Sequence, residues 1–218
     1  TKTNLAPESF FIKDKKYSII SCSPETLIIK KGNSISTKPI AGTLKKNSKL
    51  DKNKALNYFR KNIKETKEHN MIVDMERNDL SRICQPGTVK IAKEKIVEEY
   101  KDLFHYVSLI NGKLKKNIQN IDIIKSMMPG GSVIGCPKIS TLNLLNHQEK
   151  EERNIYTGSF GYIKFNGDMK FNIIIRSILY YKNISEISVA SGVVIDSNPK
   201  NEFDENFIKA KALIDLYK

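Results

Sequence analysis

Two glutamate pairs, Glu65-x-x-Glu68 and Glu202-x-x-Glu205, have the spacing that puts both carboxylates on one helix face, and Lys209 follows on the later face. The chain carries a formal net charge of +13, so such concentrations of negative charge stand out. A hard divalent cation such as Mg2+ takes oxygen ligands and is one use for them. A solvated helix face is the commoner one, and spacing alone does not choose. Arg176 interrupts the apolar run from Phe171 to Tyr181. A guanidinium among isoleucines needs an anion, which can be an internal carboxylate or the carboxylate of a substrate. The stretch from Gly130 to Lys138 could bring backbone N–H groups close to an anion beside a helix start. It is not a Walker loop, because Cys136 and Pro137 stand where that motif needs Lys and Ser/Thr. His105, between Phe104 and Tyr106, is either a structural residue or a proton-transfer group.

The elements that must position these residues read as α+β. Strand-like runs cover Ser9–Ile12, Tyr17–Cys22, Thr26–Lys30 and Ser34–Pro39, separated by polar turns. A helical pattern runs from Asp51 to about Arg82, and Pro86-Gly87 closes it. Strands are expected at Thr88–Ile96 and Leu103–Leu114, then helices at Asn120–Met128 and from Pro137 to about Lys150. Tyr156–Phe165, Met169–Tyr180 and Ile184–Gly192 read as strands, with a hairpin at Asn166-Gly167-Asp168. Within Met169–Tyr180, alternation puts Asn172, Ile174, Arg176, Ile178 and Tyr180 on one face. A last helix spans Asn201 to Tyr217. Two blocks of strands with helices between and after them suggest antiparallel sheets. One domain over residues 1–218 is the simplest organisation.

Composition excludes several classes. With 39% hydrophobic and 28% charged residues over 218 positions, the chain reads as soluble and able to bury a core. No apolar run reaches membrane-spanning length. Cys22, Cys84 and Cys136 are single thiols without C-x-x-C spacing, which argues for a reducing, cytoplasmic compartment and against zinc. The lysines are dispersed, without an Arg-rich arm or an aromatic platform, so a nucleic-acid partner is not expected. The first residue is Thr1, and an upstream N-terminal part is expected to be missing.

Several segments, in order, resemble the chorismate-utilising enzymes. They are Ser23-Pro24-Glu25, Lys38-Pro39-Ile40-Ala41-Gly42-Thr43, the run from Glu68 to Asp74, and Arg77-Asn78-Asp79-Leu80. Pro129-Gly130-Gly131-Ser132, the run from Tyr156 to Tyr162, and the pattern from Glu202 to Lys209 continue the series. The resemblance spans almost the whole chain and is carried by the combination. It implies a sandwich of mainly antiparallel sheets flanked by helices, with the active site in a cleft. It also implies Mg2+ on Glu68 and Glu205, with Glu65 and Glu202 in the water shell of the ion. Tyr156, Arg176, the backbone around Gly192, and Lys209 correspond to contacts with the carboxylates of the substrate. Glu25 corresponds to the acid/base near the ring C4 hydroxyl. Gly42, Thr43, His105 and Ser132 match positions lining that region, and His105 is the second candidate acid.

Within the family, Gly130-Gly131-Ser132, Tyr156-Thr157-Gly158-Ser159 and Gly167-Asp168-Met169 look like the aminodeoxychorismate-forming members. That implies amination of chorismate to 4-amino-4-deoxychorismate, with ammonia from a glutamine amidotransferase partner, on the path to folate. Ala41 stands where many such enzymes carry a nucleophilic Lys, which pulls toward anthranilate synthase component I. From other classes, a basic nucleic-acid-binding module and an inactive remnant that only binds partners remain as alternatives.

Overall fold

Strand β1 (Glu8–Lys13) turns back on β2 (Tyr17–Ser23) through Asp14–Lys16, closed by an Asp14 N–H donated to Tyr17 O at 2.9 Å. This is a computed structural model describing residues 6–100 and 103–217. Pro24 and Glu25 separate β2 from β3 (Thr26–Lys31), which forms a hairpin with β4 (Ser34–Lys38); Gly32, at φ +54°, supplies the left-handed tip. Pro39 then ends β4, since it has no N–H to give the ladder, and β5 (Ile40–Lys45) begins at the next residue.

The helical segment from residue 51 is two helices, not one. In α1 (Lys52–Lys61), Asp51 is the N-cap, accepting from Lys54 N–H at 2.8 Å. Asn62 has extended backbone and breaks the run, then caps α2 (Ile63–Ile83) by accepting from Glu65 N–H at 3.2 Å. One residue thus sets where α2 starts, and hence where Glu65 and Glu68 point. Replacing it, Asn62→Ala, is expected to cost about 1 kcal/mol of stability. Urea titration of both forms would measure this, and an unchanged midpoint would remove Asn62 as the cap.

Strands β6 (Lys90–Glu99) and β7 (Leu103–Lys113) follow, then α3 (Asn120–Met127), the single turn α4 (Gly131–Ile134) and α5 (Lys138–Gln148). The expected strand Tyr156–Phe165 is reduced to β8 (Gly161–Ile163), because residues 153–158 form turns around Asn154 and Thr157 at positive φ. The hairpin at 166–168 is present. The expected strand Met169–Tyr180 is two strands, β9 (Met169–Asn172) and β10 (Ser177–Tyr181), in different sheets. Strand β11 (Ile184–Ile187) ends earlier than expected. Helix α6 (Pro199–Ile214) starts from Asn198, which accepts from Asn201 N–H at 3.2 Å, and ends in a 3-10 turn at Asp215–Tyr217.

Among the described residues, the strands form two antiparallel sheets. One has the order β1-β2-β10-β11. The other runs β5-β7-β4-β3-β9-β8, with β6 on the remaining edge of β7. Strand β7 is long enough to pair with both β4 and β5 along one edge, on either side of Pro39. The larger core lies where α2 and α3 cover the second sheet, through Val73, Leu80, Ile123 and Met127 against Leu27, Ile35, Ile110 and Met169. A smaller cluster joins α1 to β6 and β7, with Phe59 stacked on Tyr106 at a centroid distance of 4.8 Å.

The two crossings between sheets lie side by side. The chain passes from the first sheet to the second at Pro24-Glu25 and returns at residues 173–176. Ile173 N–H donates to Glu25 O at 3.2 Å, and Cys22 N–H donates to Arg176 O at 3.1 Å. Arg176 has φ +52°, a conformation an L residue adopts only where its surroundings enforce it. The strand-face alternation expected for Arg176 therefore does not apply. It sits on the bend between two strands, not within one.

Candidate active site

A cavity of about 520 Å³ opens beside the two crossings. Of the thirteen residues singled out from the sequence, twelve line it: Glu25, Gly42, Thr43, Glu65, Glu68, Ser132, Tyr156, Arg176, Gly192, Glu202, Glu205 and Lys209. The thirteenth, His105, lies behind the wall on β7 and meets the lining through Arg176, Thr43 and the Gly42 carbonyl.

The two acidic pairs, from opposite ends of the chain, face this one space. Glu65 and Glu68 come from the first two turns of α2, and Glu202 and Glu205 from the first two turns of α6. Lys64 pairs with Glu202, and Lys209 pairs with Glu205 at 2.8 Å. Glu65 and Glu68 form no ion pair with either lysine. Burial raises the Glu65 pKa to about 6, with the α6 carboxylates adding to the rise and Lys64 opposing it. Burial and then the neighbouring Glu65 push Glu68 up to about 7. Two glycines make this packing possible. A Cβ on Gly192 would stand 2.5 Å from Glu68 Oε1, and one on Gly42 would stand 2.8 Å from Glu65 Oε2. Among the described residues, no three His, Cys, Asp or Glu side chains are drawn together as a metal-enclosing group. Any ion held here would take few protein ligands, with Glu65, Glu68, Glu202 and Glu205 as the available oxygen donors.

Glu25 sits at the crossing between β2 and β3 and is 5% exposed. Burial pushes its pKa up to about 7; Ser132, the Ile40 backbone and the positive charges of Arg176 and Lys209 offset only part of that rise. The Ser132 hydroxyl is close enough to act on Glu25, yet it makes no well-formed hydrogen bond. A carboxyl with this pKa holds its proton near neutrality and can give it up, the requirement for a general acid. Across the crossing, half-buried Arg176 donates from Nη1 to His105 Nε2 at 3.2 Å and has no carboxylate ion-pair partner among the described residues. Tyr156 borders the cavity from the turn before β8, and burial raises its pKa. Lys209 also donates to Ala190 O at 3.1 Å, tying α6 to the segment that contains Gly192.

Several lining residues had no prior reading from the sequence. Arg153 donates to Glu149 and, from Nη1, to Val133 O at 3.0 Å, so it fastens the segment carrying Tyr156 to α4. The segment 188–194, whose first part was expected to continue the strand Ile184–Gly192, has no regular structure and forms one wall. Outside the cavity lining, buried Asp79 pairs with half-buried Lys138 near buried Glu76, and burial raises the Glu76 pKa to about 8. Glu76 fell inside a helical pattern where a charge normally faces solvent.

The fold and this site define a class. The chain matches the family described as chorismate binding enzyme over residues 1–215. It is 38% identical over 213 residues to aminodeoxychorismate synthase component 1 of Bacillus subtilis (strain 168), covering 97% of this chain and 45% of that protein. It is 35% identical over 212 residues to anthranilate synthase component 1 of Aquifex aeolicus (strain VF5), covering 97% and 43%. The crystal structure of anthranilate synthase component I from Streptococcus pneumoniae TIGR4 superposes with a TM-score of 0.86 at 33% identity, covering 97% of this chain and 47% of that one. The chain belongs to the chorismate-binding enzyme family. It spans about half the length of these relatives.

Proposed function

We propose that this chain carries the active site of an aminodeoxychorismate synthase component I, which replaces the C4 hydroxyl of chorismate with an amino group from ammonia. The supporting observation is Glu25, a buried acid with a pKa near 7, set beside an arginine with no carboxylate ion-pair partner among the described residues, in a cavity rimmed by four carboxylates. Chorismate carries two carboxylates and a hydroxyl that leaves poorly. Arg176, Tyr156 and Lys209 bind and orient one carboxylate, converting affinity into placement of the ring. Glu25 gives its proton to the departing C4 oxygen, which leaves as water, and ammonia supplies the new C–N bond. A glutamine amidotransferase partner would supply that ammonia.

The oxygen-only donor set, the burial and mutual repulsion that raise the Glu65 and Glu68 pKa values, and the Cβ-free approach at Gly42 and Gly192 fit a magnesium ion. Bound there, Mg2+ would supply Lewis-acid stabilisation of a substrate carboxylate. Glu68 and Glu205 would hold it, with Glu65 and Glu202 behind them. The variant Glu205→Gln is expected to raise the Mg2+ needed for half-maximal turnover by roughly tenfold or more without moving the melting temperature. An unchanged Mg2+ requirement would remove Glu205 from the ligand set.

Anthranilate synthase component I is the second reading. Ala41 lines the cavity, so no lysine amine is available at that position for a covalent route. Incubating the chain with chorismate, Mg2+ and ammonium, then identifying the product by mass and fluorescence, separates the two. Fluorescent anthranilate would reject the first reading, and turnover to neither product would reject both.

A further inference from the structure

The partner of Arg176 is neutral, and that choice has consequences. A guanidinium only donates, so the 3.2 Å contact from Arg176 Nη1 requires His105 Nε2 to accept. The imidazole proton is thereby placed on Nδ1, which faces Thr43 Oγ1 at 3.1 Å and Gly42 O at 3.4 Å. The β5–β7 register, with Thr43 opposite His105, fixes this arrangement. The ring is 1% exposed, and Tyr100 packs its ring against it at a centroid distance of 5.1 Å. Both ring nitrogens are thus engaged within the wall, and neither reaches the cavity directly.

We infer that His105 is a positioning residue, which aims the Arg176 guanidinium at the carboxylate of an incoming ligand while leaving its charge unspent. This inference rests on the reading of the cavity as a chorismate site. A carboxylate at position 105 would engage the guanidinium itself and compete with the ligand. An apolar side chain would leave Nη1 unpaired in the wall. Neutral imidazole satisfies one N–H and leaves the other donors for the ligand. Burial and the charge of Arg176 push the His105 pKa down to about 3, so the ring stays neutral through the working range.

The full chain can be tested in two ways. The first is 15N NMR of the His105 ring in the unsubstituted protein, which needs no substrate. The expected pattern is a neutral ring with the proton on Nδ1 from pH 8 to pH 5.5. A proton on Nε2, or titration near the ordinary histidine value, would overturn the assignment. The second is calorimetric titration of chorismate into the unsubstituted protein, His105→Gln and His105→Glu. Glutamine can still accept from Arg176, and its Kd is expected within about threefold of the unsubstituted value. Glutamate, of the same shape but charged, is expected to weaken binding by roughly 30-fold or more. Equal affinities for the two variants would overturn the inference. So would a His105→Gln protein that binds normally yet loses the pH dependence of kcat. If the unsubstituted chain does not bind chorismate, the substrate reading fails, and the 15N pattern still decides how His105 meets Arg176.

Discussion

Glu25→Gln is expected to lower kcat by about a thousandfold while leaving chorismate affinity nearly intact. The amide keeps the shape of the side chain and its acceptor toward the Ile40 backbone, but it has no proton to give. In the unsubstituted enzyme, activity that needs protonated Glu25 falls as pH rises through about 7, with the slope of a single ionisation. That limb should be absent from whatever activity the variant retains. Stability should fall over the same rise in pH. The folded protein holds the Glu25 proton up to about pH 7, whereas the ordinary value is 4.5. Its contribution is therefore fully present below about 4.5 and is lost as pH rises to 7, a change on the order of 3 kcal/mol. At pH 8 the Gln variant should melt higher than the unsubstituted protein, and at pH 4 the two should converge. A variant that retains full kcat would show that the proton comes from elsewhere.

Arg176→Ala is expected to raise the chorismate Kd by roughly 100-fold, the scale of a lost charge-assisted contact to a carboxylate. KM should rise with it, and kcat should fall less. Arg176→Lys should recover little, because an ammonium lacks the planar fork that meets a carboxylate with two parallel N–H bonds while still donating to His105 Nε2. Removing the side chain also releases the positive charge that lowers the Glu25 pKa, so the fall of activity with rising pH should shift to higher pH in the Ala variant. Unchanged affinity would make Arg176 a purely structural element of the bend.

Much of the site was legible because helix periodicity is regular. Glu65 and Glu68, and Glu202 and Glu205, share helix faces at a spacing that needs no tertiary knowledge, and their convergence followed from the family resemblance. Glu25 was found through its neighbours in the family pattern, not through any periodicity. Arg176 was located by the right reasoning about an unpaired guanidinium, but on the wrong backbone. The apolar run from Met169 to Tyr180 reads as a single strand, and nothing in its residue types announces that it changes sheets at 173–176. The break at Asn62 did have a signal. Asn followed by Glu three residues later is a helix-start pattern, hidden here inside a longer helical stretch. The short turn α4 and the segment 188–194 had none, because their shape is set by contacts with α2 and α6, not by local preference.

The reciprocal backbone bonds at the crossings, Ile173 to Glu25 and Cys22 to Arg176, act as a mechanical coupling. Glu25 and Arg176 each accept a backbone N–H from the neighbouring chain segment, not just from their own. The first bond continues the β3–β9 ladder and the second the β2–β10 ladder, so each sheet holds one of the two residues. Glu25 and Arg176 are thus set by backbone bonds on neighbouring crossings, whereas the glutamate rim is borne on two helices that the Lys64–Glu202 ion pair links.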